Sequence, residues 1–358
     1  MAVTPPDAAA RSRAIRAEAL RLGFTRVGIA PAEALDPARR WLAHWIAEGR
    51  HGQMQYLEGF ASRHARFLEQ LPGLRSFIVV AASYYAAPPT PASHAEPIGR
   101  VARYAAGRDY HAVLLEQLDA LADAVRALVD RPILARCCVD TAPIHERSLA
   151  AAAGLGFIGK NTCLILPRGG SWVVLGAIAT DLELAPDAPV THSCGACTRC
   201  LEACPTGALT APYEMDARRC IAYLTLEHRG PIADHLKPQI GPWVAGCDIC
   251  QEVCPYNAQP ATATWKALTP AAGAGQGLHL PDLLCLDSPE AFRVKFGGTA
   301  VTRPRYEGLV RNAAIAAGNS GDPSLLPLLQ ARTDDPDPTI REAARWAVRQ
   351  LTPDEVPA

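Results

Sequence analysis

Eight of the twelve cysteines fall into one two-block pattern, and it constrains the chain more than any other feature. Cys194, Cys197, Cys200 and Cys204 form C-x2-C-x2-C-x3-C, followed by Pro205. Cys247, Cys250 and Cys254 repeat the last three places before Pro255, and Cys220 stands between the blocks, where it can replace the missing first cysteine. This is the spacing of bacterial ferredoxins with two [4Fe–4S] clusters, in which the fourth cysteine of each run ligates the other cube. Two-residue gaps let three successive thiolates wrap one cube. The proline then turns the chain and lacks an N–H that would need a partner. The expected ligand sets are Cys194, Cys197, Cys200 and Cys254 for one cluster, and Cys220, Cys247, Cys250 and Cys204 for the other. Zinc sites use paired C-x2-C units and suit three consecutive gaps poorly. A disulfide framework belongs to small secreted chains. The pattern predicts a redox protein that moves single electrons.

At 358 residues and 49% hydrophobic, the chain exceeds one domain and can bury a sizeable core. Its opening residues lack the apolar segment of a secretory signal. The strongest apolar runs, 77–82 and 172–179, are too short to span a bilayer. The expectation is a cytoplasmic protein without membrane attachment, where thiols stay reduced. Net charge is −1, but residues 1–110 hold fourteen arginines, no lysine and nine carboxylates. That excess can face phosphate, or it follows from the preference for Arg over Lys along the whole chain.

Apolar periodicity predicts helices over 8–22, 37–48, 110–129 and 144–153, and strands over 24–30, 77–85, 133–139, 163–166 and 172–180. A Pro-rich stretch, 86–97, ends the second strand. Such alternation predicts an α/β layered domain over 1–185. A ferredoxin-like segment follows over 186–262, then a loop-rich connector over 263–302. Residues 303–358 read as short paired helices over 308–317, 324–331 and 338–351, a HEAT-like unit too short to stand alone. The fold class is α+β, multidomain.

No G-x-G-x-x-G follows a strand, so a Rossmann site is absent. The Gly-rich run from Gly154 to Thr162 suits a backbone that approaches a ligand closely, or a helix C-cap and turn. Asp140 ends a strand just before a helix. That is a ligand-gathering position in α/β sheets, and equally the place of an Asx-turn or N-cap aspartate. Cys137, Cys138, Cys163 and Cys285 have no ligand partners at useful spacing and are expected in the core. His111, His145 and His192 show no metal-ligand pattern.

The run Val139-Asp140-Thr141-Ala142-Pro143, then Glu146-Arg147, then Gly154-Leu155-Gly156 to Gly159-Lys160-Asn161-Thr162, resembles the epoxyqueuosine reductase family. So do Arg103-Tyr104, Gly107-Arg108-Asp109-Tyr110-His111, Gly246-Cys247-Asp248-Ile249-Cys250-Gln251, and the tail with Arg311-Asn312-Ala313 and Gly318 to Pro323. The resemblance covers nearly the whole chain. It implies two [4Fe–4S] clusters and cobalamin held without a protein histidine on cobalt, in a first domain similar to that of reductive dehalogenases. It implies reduction of epoxyqueuosine to queuosine at the wobble base of tRNAs for Asp, Asn, His and Tyr, the last step of queuosine biosynthesis. Asp140 matches the family's acid and becomes the expected proton donor. Arg63, Tyr104, Asp140, Lys160, Asn161, Thr162 and Asp248 are the implied cobalamin contacts. Arg303, Arg305, Arg311, Arg341 and Arg345 are the expected contacts to a tRNA anticodon stem-loop, because arginine suits phosphates and splayed bases. The remaining expected partner is a low-potential electron donor, and the chain is expected to be a monomer. The alternatives are a cobalamin-dependent reductive dehalogenase, disfavoured by the missing twin-arginine signal, and a ferredoxin-type carrier, which needs no 185-residue α/β body.

Overall fold

The computed structural model describes residues 7–87 and 97–352. The first six residues of the opening segment, residues 88–96 of the Pro-rich stretch and residues 353–358 of the tail lie outside the described residues.

The continuous apolar run SFIVVAAS forms strand Ser76–Ser83, and all eight of its residues are buried because both faces are covered. Side chains alternate across a strand, so this one feeds two cores. Ile78, Val80 and Ala82 pack with Ile15 of helix Ala8–Arg21 and with Leu114, Leu118 and Leu121 of helix Tyr110–Arg126. Phe77, Val79 and Ala81 pack on the other side with Phe67 and with Leu149 of helix Glu146–Ala152. The sheet runs in the order Arg26–Pro31, Ser76–Ser83, Val173–Thr180, Ala135–Cys138. Layering is as expected, but every pairing is antiparallel. The body is therefore α+β rather than α/β, and the strand-end rule for parallel sheets gives Asp140 no support.

A second sheet joins three parts of the chain. Strand Ile98–Val101 pairs in parallel with Trp243–Ala245 from the cluster segment and antiparallel with Gly277–His279 from the expected connector. A third core surrounds helix Arg305–Ser320, which buries 12 of its 16 residues. Small residues on this helix admit close neighbours: a Cβ on Gly318 would meet the Ala347 Cα at 2.8 Å. The core includes Ile221, Leu224, Trp243 and Val244 of the cluster segment and Ile340, Trp346 and Leu351 of helix Pro338–Leu351. The tail helices thus share one core with residues 217–245. No helix among the described residues is long and apolar enough to cross a membrane.

Candidate active site and iron–sulfur segment

Asp140 follows strand Ala135–Cys138 with φ 35°, a left-handed backbone that aspartate tolerates better than most residues. A tight turn holds it, with Ala142 N–H bonded to Val139 O at 3.1 Å. Its backbone N–H donates to Glu146 Oε1 at 2.6 Å. The carboxylate leaves the turn and meets His111 Nε2 at 3.0 Å. His111 lies in the first turn of helix Tyr110–Arg126, whose N-cap is Asp109. Asp109 Oδ1 takes the His111 backbone N–H at 3.0 Å and its Nδ1 at 2.7 Å. The Tyr110 ring stacks on the imidazole at 4.0 Å. Asp109, His111 and Asp140 thus form a carboxylate–imidazole–carboxylate relay.

The charges follow from this geometry. The Asp109 bond, then the Asp140 bond, raise His111 to about 9 against the cost of burial. His111 in turn holds Asp140 below the usual carboxylate range. Burial, then the Asp140 charge, push Glu146 up to about 8. At neutral pH Asp140 is therefore ionised, and the available protons sit on its neighbours His111 and Glu146. His111 belongs to the family-like run 107–111, but no spacing in the sequence links it to Asp140, 29 residues away.

The cysteines gather into two groups. Cys254 lies within electrostatic reach of Cys194 and Cys197, and Cys200 within reach of Cys194 and Cys254. Cys247 lies within reach of Cys220 and Cys204, and Cys250 within reach of Cys220 and Cys247. Among the described residues no three His, Cys, Asp or Glu side chains converge tightly enough for a single ion; a cube offers its thiolates separate corner irons. Cys285 is exposed, contrary to expectation, and Cys163 is only partly buried and lies within electrostatic reach of Cys250.

Several implied cofactor residues sit at the junction of body and cluster segment. Asp248 is buried, takes the Arg103 backbone N–H on Oδ2 at 2.8 Å, and leaves Oδ1 without a partner. Burial pushes it up to about 7. Arg103 is held between the rings of Tyr85 and Trp172, at 5.4 and 5.1 Å, which fixes Tyr104 against Tyr110 at 5.9 Å. Asn161 is buried and bonded to Cys250 O at 3.4 Å, and the Thr162 carbonyl accepts from Arg147. Arg63 is exposed and donates to the Tyr56 carbonyl. Lys160 differs from expectation. Its Nζ donates to Gly195 O at 2.8 Å and Cys197 O at 3.0 Å, so it ties down the first cysteine loop rather than offering a free ammonium to a corrin tail.

The arginines expected to meet tRNA also divide. Arg303 is half-exposed, paired with Glu227 at 2.7 and 2.9 Å and set over the Tyr56 ring, and its charge reaches Asp140. Arg305 is exposed beside it. Arg345 is half-exposed and Arg341 less so; both hold the 333–336 loop. Arg311 is a correction: only 1% exposed, it is spent on the carbonyls of Leu224, His228 and Gly230 and cannot reach a phosphate.

An acid with a charged imidazole, packed against a segment built for one-electron carriers, places the chain among iron–sulfur oxidoreductases. Residues 193–257 match the model of the 4Fe-4S double cluster binding domain, and residues 65–141 match that of epoxyqueuosine reductase QueG, DUF1730. The epoxyqueuosine reductase of Xanthomonas campestris is 41% identical over 350 residues, 97% of each chain, and that of Escherichia coli is 37% identical over 97% of this chain and 91% of its own. Among solved structures, the epoxyqueuosine reductase of Streptococcus thermophilus superposes with a TM-score of 0.84 at 30% identity, covering 95% of this chain and 90% of that one. Another, solved with an epoxyqueuosine-modified tRNA-Tyr stem loop, gives 0.83 at 32% identity over 94% and 89%. The chain belongs to the epoxyqueuosine reductase family.

Proposed function

We propose that the protein carries out this family's reaction: it reduces epoxyqueuosine to queuosine at the wobble base of tRNA. The observation that carries the chemistry is the 3.0 Å bond between Asp140 and His111 at the junction with the cysteine segment. Removing the epoxide oxygen as water consumes two electrons and two protons. The two cysteine groups would hold two [4Fe–4S] clusters, which when bound supply single-electron transfer from a low-potential donor. Asp140 meets the departing oxygen. Its proton is resupplied by His111, which Asp109 holds in place, while Glu146 accepts the Asp140 backbone N–H and fixes the turn. General acid help of this kind is worth about 10²–10⁴-fold.

Cobalamin fits the junction. The unpartnered Asp248 Oδ1 is a buried acceptor suited to a carboxamide N–H, with Tyr104, Asn161 and Thr162 nearby and Arg63 further out. When bound, it supplies a strongly reducing cobalt centre that can complete the two-electron step. Arg303 and Arg305 meet the anticodon stem-loop beside Tyr56, and Arg345 on the last helix extends that surface as part of a HEAT-like pair with helix Arg305–Ser320.

Incubating the cluster-loaded, cobalamin-supplied protein with epoxyqueuosine-containing tRNA and a strong reductant, then analysing nucleosides, should yield queuosine. Unchanged epoxyqueuosine would remove the proposal. Turnover should also fall as pH rises through about 9, where His111 gives up its proton. Because that value is raised, the stabilisation from the Asp109–His111–Asp140 relay runs the same way: complete below the ordinary histidine range of about 6.5 and lost towards about 9. A pH–rate profile without an alkaline limb would exclude His111 as the proton source.

A further inference from the structure

Helix Phe60–Glu69 lies against the segment that carries Asp140. Most of this helix faces solvent, and its buried residues are His64 and Phe67. Phe67 shares a core with Ile144, while the Phe60 ring packs on the His145 ring at 4.6 Å and stacks on the His64 ring at 6.1 Å. His64 is only 1% exposed, and its Nδ1 meets the Pro143 carbonyl. A carbonyl can only accept, so Nδ1 carries the proton in this bond, whether the ring is neutral or charged. Inside the segment the backbone bonds are short-range: Ala142 N–H to Val139 O at 3.1 Å and Ile144 N–H to Ala142 O at 2.8 Å. Pro143 offers no N–H at all. Asp140 stands in this segment at φ 35°, a conformation that persists in a non-glycine residue only where the surroundings over-determine it. Glu146 Oε1 holds the Asp140 N–H at 2.6 Å, and His64 holds the carbonyl three residues further on.

We propose that His64 is a positioning residue for Asp140: by holding the Pro143 carbonyl it fixes the left-handed turn that keeps the Asp140 carboxylate 3.0 Å from His111. Packing alone does not call for an imidazole here. The rest of the inward face is Phe60, Phe67 and Leu68, and a leucine would cover the same core. A buried polar ring is costly unless its hydrogen bond is made, and this one is spent on the turn beside the acid. Without it the strained turn relaxes, and the carboxylate leaves the imidazole. His64 acts through the backbone and not on the substrate, so its loss should lower kcat and spare KM. The inference rests on the reading of Asp140 as the acid given above.

The experiment compares His64→Leu, His64→Asn and the unaltered full-length protein, loaded with clusters and cobalamin, on an epoxyqueuosine-containing stem-loop under saturating reductant. Leucine fills the space without a donor, whereas the asparagine Nδ2 stands near the place of Nδ1. His64→Leu should lower kcat by about tenfold to a hundredfold, the cost of a small misplacement of a reacting group, with KM for the stem-loop within about twofold. His64→Asn should recover most of the rate. A second readout needs no turnover: the titration of His111, followed by NMR on histidine-labelled, cluster-loaded protein. In His64→Leu its midpoint should fall from about 9 but stay above 6.5, because Asp140 leaves it while Asp109 remains. Tyr110 beside it and Glu146 across the turn are the same in all three proteins. In His64→Asn the midpoint should stay near that of the unaltered protein. An unchanged kcat or an unmoved His111 midpoint in His64→Leu would overturn the proposal, as would a rise in KM alone or an asparagine variant as slow as the leucine one. If His64→Leu does not fold, His64→Met, which fits irregular spaces more readily, takes its place under the same criteria. Failure of both to fold would make His64 a packing residue and overturn the proposal too. If the unaltered protein forms no queuosine, the proposed function fails by itself, and the His111 titration still decides the role of His64.

Discussion

Asp140→Asn is expected to lower turnover by about 10²–10⁴-fold, the usual worth of a positioned general acid, with iron content and fold unchanged. Asparagine keeps the size of the side chain and adopts a left-handed backbone readily, so the φ of 35° is preserved. It still accepts a hydrogen bond from His111 Nε2, but it cannot take that proton and pass it on. The alkaline limb should also move to lower pH, since Asp140 is one of the two carboxylates that raise His111. A rate within a few-fold of the unaltered protein under saturating reductant would reduce Asp140 to a turn residue. His111→Gln separates the roles further: it should lose the limb near pH 9 while Asp140 remains.

What could be read from the sequence follows from how local each interaction is. The cysteine pattern was legible because ligand spacing within a run is set by the geometry of the cube. Helix Tyr110–Arg126 was legible because Val113, Leu114, Leu118, Leu121 and Val125 recur at helical spacing and all are buried. Strand direction was not legible, because alternating helices and strands look the same whether the chain crosses over or doubles back. Strands Ile98–Val101, Trp243–Ala245 and Gly277–His279 are three or four residues long, too short for a periodic signal, and their pairing joins segments far apart in the chain. Asp140 could be named, but not its state. Its burial, its partner and its charge depend on His111 arriving from another helix, and no spacing rule links the two. Arginine in the tail looked like a surface charge, and for Arg303 it is half-exposed, but Arg311 on the same helical stretch points into the core.

Arg311→Ala should therefore act on stability before it acts on RNA binding. The guanidinium of Arg311 donates at 2.6 Å to Leu224 O, 3.0 Å to His228 O and 2.7 Å to Gly230 O, and the adjoining Asn312 amide bonds Thr225 O and Val244 O at 2.8 Å each. These carbonyls lie at the end of helix Ile221–Leu226, which follows Cys220, in the loop after it, and in strand Trp243–Ala245, which leads to Cys247. Truncation to alanine strands buried acceptors at about 1–3 kcal/mol each and leaves a cavity as well. The loss is several kcal/mol out of a typical total of about 5–15 kcal/mol. Urea unfolding should show a much lower midpoint. Iron should be lost first from the cluster that uses Cys220 and Cys247, because their supporting backbone is what Arg311 holds. Stem-loop affinity, normalised to folded and cluster-loaded protein, should stay within about twofold, as befits a substitution that removes no phosphate contact. Arg303→Ala is the opposite case: a half-exposed guanidinium paired at the surface contributes little to stability, so its loss should weaken stem-loop binding with little change in the urea midpoint. If Arg311→Ala instead keeps the unaltered midpoint and loses RNA affinity, the buried role assigned to this arginine is wrong.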